Sequence, residues 1–122
     1  MMICSVSWAE WELYGDDQDR MLFYDKSTIR KNGAIPRMWF MDNYSKVQTN
    51  PIGDRYMSQK TLRAYNCSDE TWALISLVQY SGSMGQGNVV QSITLQERQW
   101  EWDPIVPGTL GETKWKIVCG KK

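Results

Sequence analysis

Three cysteines and the complete absence of histidine limit the chemistry that this 122-residue chain can perform. Without histidine, the usual zinc sites and histidine-based catalysis are excluded. Cys67 and Cys119 could form a disulfide, and such a bridge persists only outside a reducing cytosol. Two buried free thiols are the alternative for this pair. A bridge would indicate an exported protein.

The acidic clusters and the glycine-rich segment do not match established sites. Asp16, Asp17 and Asp19 lack the alternating oxygen ligands and the distal glutamate of a calcium loop, so they predict a solvated turn. Residues 82–87 lack the lysine of a phosphate-binding loop and precede a strand-like segment, which favours a hairpin loop. The other clustered acids, Glu97, Glu101 and Asp103, are expected to be solvated. The sequence therefore predicts no catalytic residue, no metal site and no cofactor, and we expect the protein not to be an enzyme.

Composition restricts the partners of the chain. Fourteen basic residues balance fourteen acidic ones, so the protein has no net positive charge that would attract nucleic acid. We therefore expect no nucleic-acid partner. No segment has the roughly 18 consecutive apolar residues of a membrane span. The length predicts a single domain over residues 1–122. Residues 1–7 lack the pattern of a signal peptide and are expected to form a disordered tail, with a lipid-modified Cys4 as the alternative.

The elements that must position these groups are mainly strands. Seven Trp, six Tyr and two Phe suit pleated sheets with bulky cross-strand pairs. Asn32-Gly33 predicts a two-residue hairpin turn, a bend is expected at residues 25–27, and residues 45–55 have no apolar period and predict an exposed, mobile connection. Six strands are predicted: Trp8 to Tyr14, Met21 to Arg30, Arg37 to Tyr44, Tyr56 to Cys67, Thr71 to Ser81 and Asn88 to Leu95.

The last segment predicts a short helix that docks on this sheet. Thr109 is a favourable N-cap residue, and Glu112 three positions later completes a capping box. Gly111, Trp115 and Val118 then fall on one side of the helix together with Cys119. Because three turns are not stable alone in water, this side must be buried against a core.

Two groups of residues are candidates for a binding surface. Trp100 and Trp102 lie two apart and would project to the same side of an extended segment, either as a contact surface or as packing under the helix. Three basic residues could supply the polar part of such a surface, although charges on loops are usually only solvated. They are Lys46, Arg55 and Lys60.

The chain resembles the surface-adhesin E family of small exported bacterial proteins. The resemblance rests on an ordered set of segments that covers nearly the whole chain and includes Cys67 and Cys119. These segments are F-Y-D-K-S-T-I-R-K-N-G at residues 23–33, R-M-W-F-M-D-N-Y at 37–44, S-x-K-x-L-x-x-Y-x-C at 58–67, Y-S-G-S-M-G-Q-G-N-V-V at 80–90 and W-D-P-I-V-P-G-T-L-G-E-T-K-W-K-I-V-C at 102–119.

The resemblance implies an α+β fold and a location. The fold is a curved six-stranded antiparallel sheet, a meander, with the C-terminal helix tethered to its concave face by a disulfide between Cys67 and Cys119. The location is the periplasm or the bacterial cell surface. Adhesins of the family bind laminin, vitronectin and plasminogen, in some cases as dimers.

Two functions therefore stand at this point. The first is a non-enzymatic envelope module that binds host or extracellular proteins, with exposed strand edges that favour pairing into a homodimer. The second is a periplasmic structural or small apolar ligand-binding protein without adhesin activity. A closed cavity beside the helix would favour the second function, and a fully packed helix contact would oppose it.

Overall fold

The computed structural model describes residues 10–31 and 35–120 of the chain. Consecutive strands pair antiparallel in the order β1-β2-β3-β4-β5-β6, and a two-residue strand, β7, pairs with β5 beyond the end of β6. This is the predicted meander with one C-terminal helix. The elements are β1 (Trp11–Asp16), β2 (Arg20–Arg30), β3 (Arg37–Thr49), β4 (Arg55–Asn66), β5 (Thr71–Tyr80), β6 (Val89–Thr94), β7 (Asp103–Pro104) and α1 (Leu110–Cys119).

The largest boundary error concerns β3, which continues through residues 45–49 where an exposed connection was predicted. Asn50 explains why the turn after it is tight. Its Oδ1 accepts from the backbone N–H of Ile52 at 3.1 Å and of Asp54 at 2.9 Å, and its Nδ2 donates to Gln79 Oε1 on β5 at 3.0 Å. A buried amide thus fixes the β3–β4 hairpin to the sheet, a contact that has no periodic signal in the sequence.

Other boundaries shift by a few residues. β1 includes Gly15 and Asp16, which were predicted as loop, while residues 8 and 9 of the predicted first strand lie outside the described part. The Asn32-Gly33 turn also lies outside it, although β2 and β3 do form the expected antiparallel pair. Cys67 belongs to the turn after β4 and not to the strand.

The predicted bend in β2 is confirmed as a break in register. Asp25 pairs with Trp39, but the next pair is Arg30 with Arg37, so β2 carries extra residues over this stretch. Side chains bridge the gap, because Thr28 Oγ1 donates to Asp25 O at 2.6 Å and accepts from Trp39 N at 3.1 Å. The bulge leaves the Asp25 carboxylate buried at 1% exposure.

The main core lies between α1 and one face of the sheet. Met38 and Phe40 of β3 and Tyr65 of β4 pack with Trp115 and Val118 of the helix. Thr109 caps the helix as predicted, since its Oγ1 accepts from Glu112 N at 3.4 Å. The capping box is modified, because the Glu112 carboxylate accepts from Gly108 N at 3.1 Å instead of from the N-cap residue.

Gly111 does not lie at this contact. A Cβ atom added there would meet only Thr109 Oγ1 within 4 Å, so no sheet residue packs against this position. Lys114 is buried instead, at 8% exposure. At 100° per residue positions 114, 115 and 118 share one side of the helix, and this narrower side is the one that docks.

A disulfide closes the fold between Cys67, in the turn after β4, and Cys119, the last residue of α1. The predicted pair is confirmed, and the alternative of two free thiols is excluded. Within the described ranges, no helix has the length and apolar character to cross a lipid bilayer.

Reduction of this disulfide is expected to lower the free energy of unfolding by about 4 kcal/mol, because the bridge closes a loop of 52 residues in the unfolded chain. Urea denaturation with and without reductant measures the loss. Cys67→Ser with Cys119→Ser should reproduce it without reductant, and equal stability of the oxidised and reduced proteins would contradict the prediction.

Trp115→Ala is expected to cost about 3–5 kcal/mol, because it removes a large buried side chain from the core. Trp115 is 9% exposed, whereas Trp102 is 39% exposed and makes a suitable control that should lose clearly less. Urea denaturation followed by circular dichroism gives both values. A loss below about 1 kcal/mol for Trp115→Ala would mean that the indole does not anchor the helix.

Candidate functional site

Trp100 and Trp102 form one compact pair away from the helix core. Their ring centroids lie 6.1 Å apart in an edge-to-face arrangement, and the Arg37 guanidinium lies 5.3 Å from the Trp100 ring. The Trp100 indole donates to Leu95 O at 3.2 Å. Neither ring belongs to the cluster under α1, so packing beneath the helix does not explain the pair. Its role as a binding surface stays a prediction.

The three predicted basic residues do not form a single surface. Lys46 and Arg55 are exposed near the tip of the β3–β4 hairpin, where Val47 and Ile52 are 56% and 68% exposed. Lys60 lies five residues further along β4, roughly 17 Å away at the rise of an extended strand. It pairs with Met41 of β3. The hairpin tip and Lys60 therefore belong to different regions.

Lys60 instead lines a cavity on the sheet face opposite the helix. Paired residues of an antiparallel sheet share a face, and neighbours along a strand alternate. Trp39 is therefore opposite Phe40, whose ring lies under α1. The cavity has a volume of about 250 Å³ and is lined by Trp11, Asp25, Thr28, Trp39, Lys60 and Tyr80. Sequence reasoning found only Lys60, because these six positions come from five strands.

The last full strand, β6, forms an edge of the sheet. Its sequence, V-V-Q-S-I-T, carries no charge and no proline, the two devices that usually protect an exposed edge. Val89 and Ile93 are 57% and 43% exposed. β5 pairs with one side of β6, and no strand of the described residues pairs with the other side. The outer edge of β6 is therefore available to another chain.

A buried polar cluster lies beneath the helix, and sequence reasoning missed it. Burial, with the nearby Arg63 cation second, lowers the pKa of Lys114 to about 8, and its ammonium lies 5.7 Å from the Phe40 ring. Burial also raises the pKa of Tyr14 and of Tyr65. The hydroxyls of both tyrosines and Nε1 of Trp115 are buried without a hydrogen-bond partner among the described residues.

A row of amides crosses the same face toward the hairpin. Gln79 Nε2 donates to Gln59 Oε1 at 3.2 Å, and Gln59 Nε2 donates to Asp42 Oδ2 at 3.2 Å. Burial, followed by the charge of Asp42, raises the pKa of Tyr44 to about 12. The row satisfies polar groups that the short helix leaves uncovered, so we assign it a structural role.

The acidic side chains of the described residues do not form a metal centre. Within residues 10–31 and 35–120, no group of three or more His, Cys, Asp or Glu side chains is arranged to hold a metal ion. The two ion pairs of this part of the chain, Arg20 with Asp17 and Lys116 with Glu112, lie on the surface at 4.0 Å.

Comparison with known proteins places this fold. The sequence model of the family described as Surface-adhesin protein E matches residues 11–120. Protein E from non-typeable Haemophilus influenzae is similar in structure, with a TM-score of 0.64 and 15% identity over 97% of this chain and 80% of that one. Crystal form II of Haemophilus influenzae protein E gives a TM-score of 0.62 and 16% identity, over 81% of this chain and 80% of that one. No curated protein matches the sequence.

The buried Lys114 predicts how stability changes between pH 7 and 9.5. The folded pKa of about 8 lies below the ordinary value of 10.5, so the unfolded state binds more protons above pH 8 and stability rises with pH. We expect a gain of about 1–2 kcal/mol. Ionisation of Tyr14 and Tyr65 in the unfolded chain opposes it only near pH 10 and above.

Lys114→Met should abolish this rise, whereas Lys116→Met, on the exposed side of α1, should retain it. Urea denaturation at each pH measures the free energy of unfolding. A Cys4→Ser background prevents thiolate attack on the disulfide at high pH. Equal pH slopes in both variants would contradict the assignment to Lys114.

Proposed function

The chain belongs to the Surface-adhesin protein E family, and from this membership we propose that it is a non-enzymatic bacterial envelope protein that binds a protein partner. The partner class that the family favours is a host or extracellular protein. The family is described by adhesion and not by a reaction.

The disulfide supports an exported location. Bridges of this kind form and persist in the periplasm and at cell surfaces, whereas cytosolic thiols stay reduced. Cys67 and Cys119 are joined in this fold, and surface adhesins act outside the cytoplasm. We assign the protein to the periplasm or the cell surface.

The edge of β6 is the observation that carries the binding proposal. An extended peptide can add to an unpaired strand edge, with main-chain hydrogen bonds supplying affinity and side-chain pockets supplying specificity. Ile93 pairs with Leu77, and Val89 pairs with Tyr80 beyond a shift in register, so these two exposed side chains present apolar contacts on opposite faces of β6 beside the free main-chain groups. A second copy of the chain could occupy the same edge and form a homodimer.

The alternative function is a periplasmic structural or small apolar ligand-binding protein without adhesin activity, and its ligand-binding form requires an enclosed apolar cavity beside the helix. The groove next to the end of α1 is open to solvent, and two lysines line it. Its lining residues are Lys26, Ile29, Lys31, Met38, Ile117, Val118, Cys119 and Gly120. An apolar ligand would remain largely exposed there, so this groove does not support the binding of a small apolar molecule.

Ile93→Lys tests the edge directly. A lysine on an edge strand opposes the addition of another strand, and the side chain is 43% exposed, so the fold should tolerate it within about 0.5 kcal/mol. Surface plasmon resonance against laminin, vitronectin and plasminogen should show at least about tenfold weaker binding than the wild type to any protein that binds.

Val47→Lys is the matched control, because Val47 is 56% exposed on the distant hairpin tip. It should bind as the wild type does. Analytical ultracentrifugation of the same proteins shows whether β6 also pairs two copies. Retained partner binding by Ile93→Lys, or equal losses in both variants, would refute the β6 edge as the contact.

A further inference from the structure

The cavity opposite the helix has aromatic walls. Trp11, Trp39 and Tyr80 contribute rings, and the register explains how they meet. Trp11 pairs with Asp25, and Asp25 pairs with Trp39, so three neighbouring strands place these side chains in one row. Lys60 and Tyr80 follow on β4 and β5, on the same face of the sheet. The binding proposal at β6 does not use this cavity.

Asp25 supplies the acceptor of the cavity. Its Oδ2 accepts from Glu10 N at 3.1 Å, and its Oδ1 accepts from Ser27 N at 3.0 Å and from Ser27 Oγ at 2.5 Å. A carboxylate offers about four acceptor positions, so three are used and one remains on Oδ2. The protein therefore holds this carboxylate rigidly in the cavity wall, 1% exposed and with one acceptor position unused.

Lys60 supplies the donor. Its Nζ lies 5.0 Å from the Tyr80 ring centre and 5.7 Å from the Trp11 ring centre, and burial lowers its pKa while Asp25 opposes this shift. Within the described residues no carboxylate lies within 4.0 Å of the ammonium. Aromatic faces therefore orient the charge without using its hydrogen bonds.

The loop between β5 and β6 packs against the end of the Lys60 side chain. A Cβ atom added at Gly85, which has φ +73°, would lie 2.6 Å from Lys60 Cε and 3.1 Å from Nζ. Buried Ser58 holds the loop, because its Oγ donates to Gly82 O at 2.6 Å and accepts from Gly85 N at 2.9 Å. Asn43 Oδ1 also accepts from Met84 N at 2.7 Å. The glycine-rich loop thus positions an ammonium group.

We propose that this cavity binds one pyranose ring of a carbohydrate. The apolar C–H faces of a pyranose stack on aromatic rings, and its hydroxyls can donate to Asp25 and accept from Lys60 in the same complex. A simple carboxylate would meet the charge of Asp25, and a simple cation would meet that of Lys60. The volume of about 250 Å³ is below the roughly 300–1,000 Å³ of pockets for drug-sized ligands, which limits the occupant to one ring.

Saturation-transfer NMR with the methyl glycosides of glucose, galactose, mannose and N-acetylglucosamine tests the site on the full chain. At least one glycoside should receive saturation and bind in the millimolar range, with the C–H protons of one ring face closest to the protein. Lys60→Met and Trp39→Ala should weaken this binding at least about tenfold, because they remove a charged donor and an aromatic wall.

Trp102→Ala is the matched control for the loss of a tryptophan outside the cavity, and it should bind as the wild type does. Gly85→Ala should weaken binding through the displaced Lys60. If Trp39→Ala fails to fold, Lys60→Met carries the test alone. Ile93→Lys should leave glycoside binding unchanged, which separates this site from the β6 contact.

Several outcomes would overturn the proposal. One is the absence of saturation transfer to all four glycosides. Another is glycoside binding that Lys60→Met and Gly85→Ala leave within twofold of the wild type. Stronger binding of benzoate or of glycine than of every glycoside would also overturn it, by identifying an aromatic anion or a zwitterion as the ligand.

Discussion

The fold depends on the docking of a ten-residue helix that could not exist alone. A helix of this length is marginal in water, yet it covers the part of the sheet where Met38, Phe40 and Tyr65 would otherwise be exposed. The disulfide from Cys119 to Cys67 holds the end of the helix against the end of β4. Hydrophobic burial and a covalent link thus stabilise the same contact between the helix and the sheet. The disulfide adds to the limited apolar area that a ten-residue helix can bury.

The helix is too short to cover its face of the sheet, and the consequences extend across the molecule. Toward the β3–β4 hairpin the same face becomes polar, with a row of amides from Asn50 through Gln79 and Gln59 to Asp42. Under the helix, Lys114 is buried together with hydroxyl groups that have no partner among the described residues. These polar groups lie on the helix-covered face of the sheet, where the apolar core under the helix meets the polar side chains near the hairpin.

The opposite face of the sheet carries the cavity. The break in β2 places Asp25, and the loop between β5 and β6 places Lys60, so two irregularities of the meander shape one aromatic cavity. The edge of β6 lies outside that cavity and offers main-chain groups instead. A family fold shared with Haemophilus influenzae protein E at 15–16% identity can therefore carry two independent surfaces, because neither takes part in the core that maintains the fold.

The class of fold, the approximate strands and the helix that begins at the Thr109 cap were all predicted from the sequence. The family resemblance supplied the pairing of Cys67 with Cys119. These features depend on local periodicity, on capping chemistry and on ordered motifs, all of which are written along the chain. The sequence did not reveal that Lys60 lies apart from Lys46 and Arg55. In the folded chain it lines a cavity with Trp11, Asp25, Trp39 and Tyr80. Register and bulges set which side chains meet across strands, and these depend on pairings between residues that are far apart in sequence.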